Sequence, residues 1–305
     1  MLRRRVLTTL SAQAAAVVIA ACGTPAPPAP PTATAPAEPT PVPPTLAPAP
    51  AATPTPFTRL SEDPTAVVVF AATPLGNALS ELGSDFMLAA PQATGVDYRF
   101  DKPDQLRTLI QAGADADVFV SMDSGAMDAL GQSNLLDGAP TVLVRDRLVI
   151  VVSQANPQGI QSLADLARTG VRYIVPAPTS QTSQSLMAAF QHASADPTYG
   201  ADFAARADRN VLARDGDDRL VIDRITSGEV TAGVVYASSV TLDARPQVNV
   251  VAVPDAISPL IDFPIAVLKN GTNVRGGQAF VQYALSSRAQ DILSRYGFVK
   301  IGNSS

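Results

Sequence analysis

The sequence predicts an α/β fold in which mainly parallel strands are flanked by helices. The first observation is an unbroken apolar run, VVVF at 67–70, inside the stretch AVVVFAATPLGNALSELGSDFMLAA at 66–90. Such a run is typical of a strand buried on both faces of a parallel sheet. The second is that strand-like and helix-like segments alternate from there to the end of the chain, as they do where helices connect parallel strands. The chain from Thr65 onwards has the length of one large domain or two smaller lobes.

The first strand leads through a tight turn into a helix. Thr73 stands at the predicted helix N-cap, and Pro74 follows at the first helical position, where its missing N–H costs nothing. Leu75, Leu79 and Phe86 lie at helical spacing and give the helix one apolar face. Free N–H groups and the positive end of the helix dipole meet at a helix start. Thr73 therefore marks either an anion site or no more than a capped helix.

The remaining elements follow in order along the chain. Apolar runs predict strands at 95–100, 117–120, 147–153, 173–175, 233–236, 248–253 and 265–268. Helical spacing and capping residues predict helices at 104–112, 124–130, 163–169, 183–193, 220–227, 277–285 and 289–296.

The N-terminus has the features of a targeting segment. Arg3, Arg4 and Arg5 form a basic start, and residues 7–21 are largely apolar but too short for a comfortable membrane span. The segment ends in IAAC, which resembles the lipobox of bacterial lipoproteins, where cleavage precedes a cysteine that carries lipid. Cys22 is the only cysteine, so the chain has no disulfide framework and no thiolate metal cluster. The alternative is an ordinary signal peptide, 1–21, followed by an incidental cysteine.

A stalk and an acidic remainder follow the targeting segment. Residues 24–56 are almost wholly Pro, Ala and Thr, so we expect 22–64 to be a disordered, semi-rigid spacer. The whole chain carries a formal charge of −5, and removing residues 1–21 takes away three arginines and no acid, which leaves −8. No basic patch remains, so nucleic acid is not expected as a partner. An anionic ligand would have to be held locally, by hydroxyls and backbone N–H groups.

Four stretches carry a family resemblance. AVVVFAATPLGNALSELGSDF, ADADVFVSMDSGAMDAL, GEVTAGVVYASS and RYGFVKI occur in this order between Thr65 and Ile301. Together they resemble the periplasmic molybdate-binding proteins of ATP-binding-cassette (ABC) importers. The resemblance implies the two-lobed, type II periplasmic-binding-protein fold, with ligand in the cleft between lobes. The first lobe would comprise 65–147 and 250–305, and the second, 148–249, would be inserted within it.

The resemblance also implies a set of ligand residues. In that family an oxyanion is held by two serines, two further backbone N–H groups and a tyrosine hydroxyl. The first serine corresponds to Thr73, which keeps the hydroxyl and the N–H, and the tyrosine corresponds to Tyr236 in GVVYAS. The backbone donors correspond to positions at or near Ser183 and near Asp218.

The second family serine is missing from this chain. It corresponds to Pro103, which offers neither a hydroxyl nor an N–H. Lys102, beside it, could supply a charge-assisted hydrogen bond instead. Four acids, Asp101, Asp104, Asp217 and Asp218, would each repel an oxyanion at 4 Å by about 1 kcal/mol even in bulk water. They either face away from the ligand, mark a different ligand, or simply cap helices.

The sequence offers no catalytic or metal-binding constellation. His192 is the only histidine, and with no cysteine near it in the sequence we find neither a histidine-based metal cluster nor a catalytic triad around it. Residues 215–218 are too short for a calcium loop of the EF-hand kind, and neither GxSxG nor GxxxxGK[ST] occurs. We expect no enzyme activity, no cofactor and no metal site.

These observations converge on one functional prediction. The chain is expected to be a monomeric, lipid-anchored, extracytoplasmic solute-binding protein that delivers an oxyanion, molybdate or tungstate, to an ABC permease and its ATPase. One alternative is the same fold with a different small ligand. Another is a surface sensor or scaffold that has lost transport, and an enzyme comes last.

Overall fold

The chain forms two five-stranded sheets in a computed structural model that describes residues 60, 63–90 and 94–302. The first sheet has the order β2-β1-β3-β10-β4 and the second β7-β6-β8-β5-β9. The strands are β1 (Val67–Ala72), β2 (Val96–Asp101), β3 (Val118–Val120), β4 (Leu136–Asp146), β5 (Leu148–Ser153), β6 (Tyr173–Val175), β7 (Val211–Arg214), β8 (Ala232–Tyr236), β9 (Val248–Ala252) and β10 (Ile261–Leu268).

Eight α-helices lie within the described residues. They are α1 (Gly76–Ala89), α2 (Pro103–Gln111), α3 (Ser124–Gln132), α4 (Gln181–Ala195), α5 (Phe203–Arg209), α6 (Asp218–Thr226), α7 (Val274–Ala284) and α8 (Ser287–Arg295). Short 3-10 turns occupy Thr73–Leu75, Leu163–Ala167, Ala237–Ser239 and Arg245–Gln247. None of the helices in this part of the chain is both long and apolar enough to cross a bilayer.

The unbroken apolar run of β1 is explained by burial on both faces of the first sheet. Val67 and Val69 pack with Leu79, Leu82 and other apolar residues of α1, α7 and α8. The alternate residues of β1 pack with apolar residues of α2 and α3 on the opposite face. Because successive strand residues point to opposite faces, a strand covered on both sides must be apolar throughout. The second sheet is likewise covered on both faces, by α4 and α5 on one side and α6 on the other.

Each sheet is mainly parallel, as expected, with four strands running in one direction and a single antiparallel strand, β10 in the first sheet and β5 in the second. In the first sheet β1 is parallel to β2 and to β3, whereas β10 is antiparallel to β3 and to β4. In the second, β6 is parallel to β7 and β8, whereas β5 is antiparallel to β8 and β9. The antiparallel strand of each sheet is the one that the chain enters directly after a crossover between the sheets. The predicted two-lobed α/β fold is confirmed.

The two crossovers define the lobes. Arg147 alone separates β4 in the first sheet from β5 in the second, at the predicted boundary. The return crossover is residues 253–260, between β9 and β10. The predicted boundary between 249 and 250 was wrong, because it falls inside β9, which pairs with β5 in the second sheet.

The structure also contains elements that the sequence did not predict. These are β4, α5 and β7. The predicted signal peptide, Cys22 and almost all of the predicted stalk lie outside the described residues.

Candidate ligand-binding site

The site is built from the carboxyl ends of strands in both sheets, the edge where α/β proteins hold ligands. In the first lobe β1 and β2 are paired in register, with Ala72 opposite Asp101. Thr73 and Lys102 directly follow these two residues, so they leave adjacent strands at the same edge. The turn Thr73–Leu75 of the first lobe lies beside the turn Ala237–Ser239 of the second, with Cα atoms within 8 Å.

Thr73 does not cap a helix, which corrects the predicted role. The chain leaves β1 directly into a 3-10 turn whose N-cap is Ala72, so Thr73 is the first residue inside the turn and Pro74 the second. Thr73 is exposed. Its hydroxyl makes no hydrogen bond to any residue that the structure describes.

Lys102 and Pro103 start α2. Lys102 is the N-cap residue and Pro103 the first helical residue, a position where proline fits without losing an intrahelical hydrogen bond. The Lys102 side chain is exposed, while its backbone N–H donates to Oδ1 of Asp101 at 2.8 Å. At this position the first lobe can therefore offer an ammonium group in place of a serine hydroxyl.

Ser183 lies in the first turn of α4, but its donors are already used. Its N–H donates to Oγ of the N-cap residue Ser180 at 3.1 Å, and its hydroxyl donates to the carbonyl oxygen of Pro176 at 2.6 Å. The first two N–H groups of the helix, those of Gln181 and Thr182, have no acceptor among the described residues. Helix geometry leaves such N–H groups without intrahelical partners.

Asp218 opens α6, and its side chain ties three elements of the second lobe together. The carboxylate accepts from Oγ1 of Thr182 at 2.6 Å, the N–H of Tyr236 at 2.9 Å and Oγ of Ser239 at 2.8 Å. Burial raises the pKa of this carboxyl, and the three hydrogen bonds oppose that shift. The carboxylate oxygens of Asp218 therefore already have hydrogen-bond donors within the protein.

Tyr236 ends β8 and is 5% exposed. Its phenol oxygen lies 2.7 Å from Oγ of Ser185 on α4. Burial raises the pKa of Tyr236 to about 12, with smaller contributions from the nearby carboxyls of Asp146 and Asp218. The phenol therefore keeps its proton at neutral pH and can donate a hydrogen bond.

One of the other acids caps a helix, and another forms an ion pair at a helix start. Asp217 is the N-cap of α6 and accepts the N–H of Leu220 at 3.0 Å. Asp104 forms an exposed pair with Arg107 at 3.3 Å in the first turn of α2. Both carboxylates therefore have partners within the protein.

Comparison with known proteins identifies the family. The model of the bacterial extracellular solute-binding protein family matches residues 67–299. This chain belongs to that family. The solute-binding family is extracytoplasmic and binds ligands without transforming them, so the expectation that the chain is not an enzyme is confirmed.

Three relatives of this solute-binding protein carry most information. The molybdate-binding protein ModA of Mycobacterium tuberculosis H37Rv is 30% identical over 235 residues, which cover 77% of this chain and 85% of that protein. The substrate-binding domain of a putative molybdenum ABC transporter from Clostridium difficile has a similar fold, with a TM-score of 0.67 at 20% identity, and covers 77% and 99% of the two chains. The sulfate-binding protein SubI from M. tuberculosis H37Rv has a TM-score of 0.62 at 20% identity. The match covers 78% of this chain and 88% of that one. The predicted resemblance to the molybdate-binding family is confirmed.

The candidate site of this solute-binding protein includes residues that the sequence did not single out. Thr182 and Ser239 bind Asp218, and Ser185 binds Tyr236. These hydroxyls lie among many in the polar segments 178–185 and 237–239, so only their positions in space distinguish them. His192, the only histidine, instead lies within hydrogen-bonding distance of the carbonyl of Ile257, with its Nδ1 at 3.0 Å.

A second concave surface of the solute-binding protein runs between α1 and residues 241–243. It encloses about 480 Å³ and contains none of the predicted ligand residues. It is lined by Asn77, Ser80, Glu81, Ser84, Thr241, Leu242, Asp243 and Tyr296. Within the described residues, no group of three or more His, Cys, Asp or Glu side chains could hold a metal ion.

Proposed function

We propose that this chain is the solute-binding lipoprotein of an ABC importer, and that it binds an oxyanion such as molybdate or tungstate between its two lobes. The observation that carries the proposal is the pairing of Tyr236 with Ser185 beside the start of α4. Two hydroxyls in contact need only one proton between them, so one O–H remains to donate to a ligand.

Backbone N–H groups support the same ligand class. Those of Gln181 and Thr182 at the start of α4, and those of Asp218 and Arg219 at the start of α6, have no acceptor among the described residues. Each group lies at the positive end of a helix dipole, where an anion is stabilised. With the Thr73 hydroxyl opposite, such a site would present hydrogen-bond donors from both lobes.

The predicted set of ligand residues is refined on this basis. Thr73, Lys102, Tyr236 and the backbone of Asp218 remain proposed contacts. Pro103 contributes neither a hydroxyl nor an N–H, and we move the α4 donor from Ser183 to Gln181 and Thr182. The acidic side chain of Asp218 is compatible with a bound anion because its oxygens already accept three hydrogen bonds.

We further propose that the protein is a monomer, that lipid on Cys22 anchors it, and that it delivers its ligand to a permease and the ATPase of that permease. The lobes would close on the oxyanion and present the closed form to the permease. A different oxyanion, such as sulfate, is the second candidate. It is favoured by Pro103, which lacks both the hydroxyl and the N–H of the family serine, and a sulfate-binding protein shares the fold.

Isothermal titration calorimetry with sodium molybdate, tungstate and sulfate tests the proposal. We expect molybdate or tungstate to bind, and Tyr236→Phe to weaken the binding. Tyr199→Phe is the matched control, because Tyr199 packs edge-on against Phe203 of α5 instead. A protein that binds sulfate alone would favour the second candidate. No heat with any of the three at millimolar concentration would contradict oxyanion binding.

A further inference from the structure

Asp146 is a buried acid that the proposed function does not use. It is the last residue of β4, lies opposite Ile261 of β10, and is 1% exposed. Its Oδ1 accepts the N–H of Arg147 at 2.8 Å and that of Ser238 at 3.4 Å. Its Oδ2 has no hydrogen-bond partner within the described part of the chain, and neither has the buried hydroxyl of Ser238. A carboxyl of the first lobe thus contacts the backbone of the second at the crossover.

The segment that Asp146 contacts is held closely against the first lobe. Ala237–Ser239 directly follows Tyr236, and Gly297 of the first lobe lies across from it. A Cβ on Gly297 would lie 2.5 Å from the carbonyl oxygen of Ala237 and 3.1 Å from the nitrogen of Ser238. Any motion of one lobe against the other must therefore change the surroundings of Asp146.

Asp146 forms no salt bridge within the described residues, and the buried Nε of the adjacent Arg147 has no hydrogen-bond partner there. Arg145 and Arg147, which flank Asp146, pair with Asp262 at 2.8 Å and with Asp255 at 3.7 Å. Two cations near Val299, which forms a bridge with Arg145, are also paired. They form the ion pairs Lys300–Asp291 and Arg295–Glu81.

The groups of the second lobe that face Asp146 are acidic or neutral. They are Asp218, whose charge raises the pKa of Asp146, and Tyr236, whose pKa is in turn raised by Asp146. Burial is the largest influence and raises the pKa of Asp146 to about 7, and the nearby Ser238 side chain and the N–H groups of Arg147 and Ser238 act against that shift.

We infer that Asp146 is a proton switch at the crossover between β4 and β5, and that its carboxyl takes up a proton when an anion binds between the lobes. The anion part of this inference rests on the proposed function. A negative ligand near Tyr236 disfavours a second negative charge on Asp146, so the carboxyl gains a proton from solvent at Oδ2 while the ligand keeps its charge. By reciprocity, the affinity for the anion must rise as the pH falls through the titration of Asp146.

The ligand-free protein tests the switch directly. Carbon-detected NMR of the aspartate carboxyl groups in the full chain should show a resonance that titrates near pH 7 and is absent from Asp146→Asn. The Ser238 amide should shift with the same midpoint. His192→Gln is the control for the only histidine, and Asp262→Asn for the exposed carboxylate across from Arg145, and both should retain the titration. A midpoint near the ordinary aspartate value of about 4 would overturn the inference.

Calorimetry with molybdate tests the coupling. In buffers of different ionisation enthalpy, binding by the wild type near neutral pH should show proton uptake, and the affinity should be at least about threefold higher near pH 6 than near pH 8. Asp146→Asn should bind with nearly the same affinity at both. Binding without proton uptake would overturn the coupling and leave the proposed function standing. No heat at any pH would contradict the proposed function alone, because the NMR titration judges the switch separately.

Discussion

The hydroxyl groups of Tyr236 and Ser185 lie 2.7 Å apart and join the end of β8 to α4. Neither group belongs to the backbone framework of the sheet. The pair forms where the carboxyl ends of β6 and β8 meet, at the edge that faces the first lobe through the turns Thr73–Leu75 and Ala237–Ser239.

Removing either hydroxyl should weaken oxyanion binding. A hydrogen bond to a charged group is worth about 1.5–3 kcal/mol, so Tyr236→Phe and Ser185→Ala should each raise the molybdate Kd by about 10- to 150-fold. Because the two groups touch, the double variant should lose less than the sum of the single losses. Calorimetry on the three variants measures this coupling. Two fully additive losses would mean that the pair does not act as one unit.

Lys102 should contribute a smaller, salt-dependent part of the affinity. Its ammonium group is exposed, so Lys102→Ala should cost up to about 1 kcal/mol, and the loss should shrink as ionic strength rises. Lys269→Ala is the matched control, because Lys269 follows β10, which runs antiparallel to β3 and ends at the opposite edge of the sheet. Titration calorimetry at low and high salt measures the loss of affinity for each variant and shows whether that loss depends on ionic strength. If Lys102→Ala binds as the wild type does, the lysine is only a solvated residue at a helix start.

Asp85 should make the fold sensitive to acid. Hydrogen bonds from Arg288 and Tyr283 lower its pKa to about 2. A carboxyl with a lowered native pKa stabilises the fold above its unfolded value, near 4, and that contribution is lost as the pH falls towards 2.

Urea unfolding between pH 2 and pH 6 measures this contribution. Asp85→Asn should be less stable than the wild type near pH 6, and the difference should disappear towards pH 2. Asp243→Asn is the control, since Asp243 is exposed and forms no ion pair within the described residues. Parallel pH profiles for Asp85→Asn and wild type would contradict the assignment.

Much of the fold could be predicted because its central elements follow simple patterns. β1 and α1 are covered by apolar neighbours, so their residue periodicity reports their burial directly. β4 was not predicted because Gly138 and Pro140 lie within it and its middle residues are exposed. Strand patterns are recognised by alternation of apolar and polar residues without proline.

The site could be predicted only in part. Tyr236 lies in a distinctive apolar strand, so the family pattern identifies it. Thr73 was placed in the correct turn but wrongly predicted to be the N-cap residue, because the chain enters a 3-10 turn one residue earlier than an α-helical cap requires. The bond between Tyr236 and Ser185 joins residues 51 positions apart, and no local pattern encodes such a contact.

Cys22 should anchor the protein to a membrane. It follows IAA at the end of an apolar segment and is the only cysteine in the chain. Several acyl chains, at about 0.8 kcal/mol for each buried CH₂, would hold the protein stably. Cys22→Ser should therefore move the protein from the membrane fraction to the soluble fraction, as followed by fractionation and immunoblotting. A variant that stays with the membrane would argue for a different mode of attachment.

Hydrogen exchange with and without molybdate tests most directly whether the ligand lies between the lobes. A bound oxyanion should protect backbone amides at the carboxyl ends of both sheets, in peptides that contain Thr73, Gln181 and Thr182, and Asp218, because these N–H groups would gain an acceptor and leave solvent. Peptides from the second concave surface, 77–84 and 241–243, should be unchanged. Protection confined to that surface, or to one lobe alone, would contradict ligand binding in the cleft.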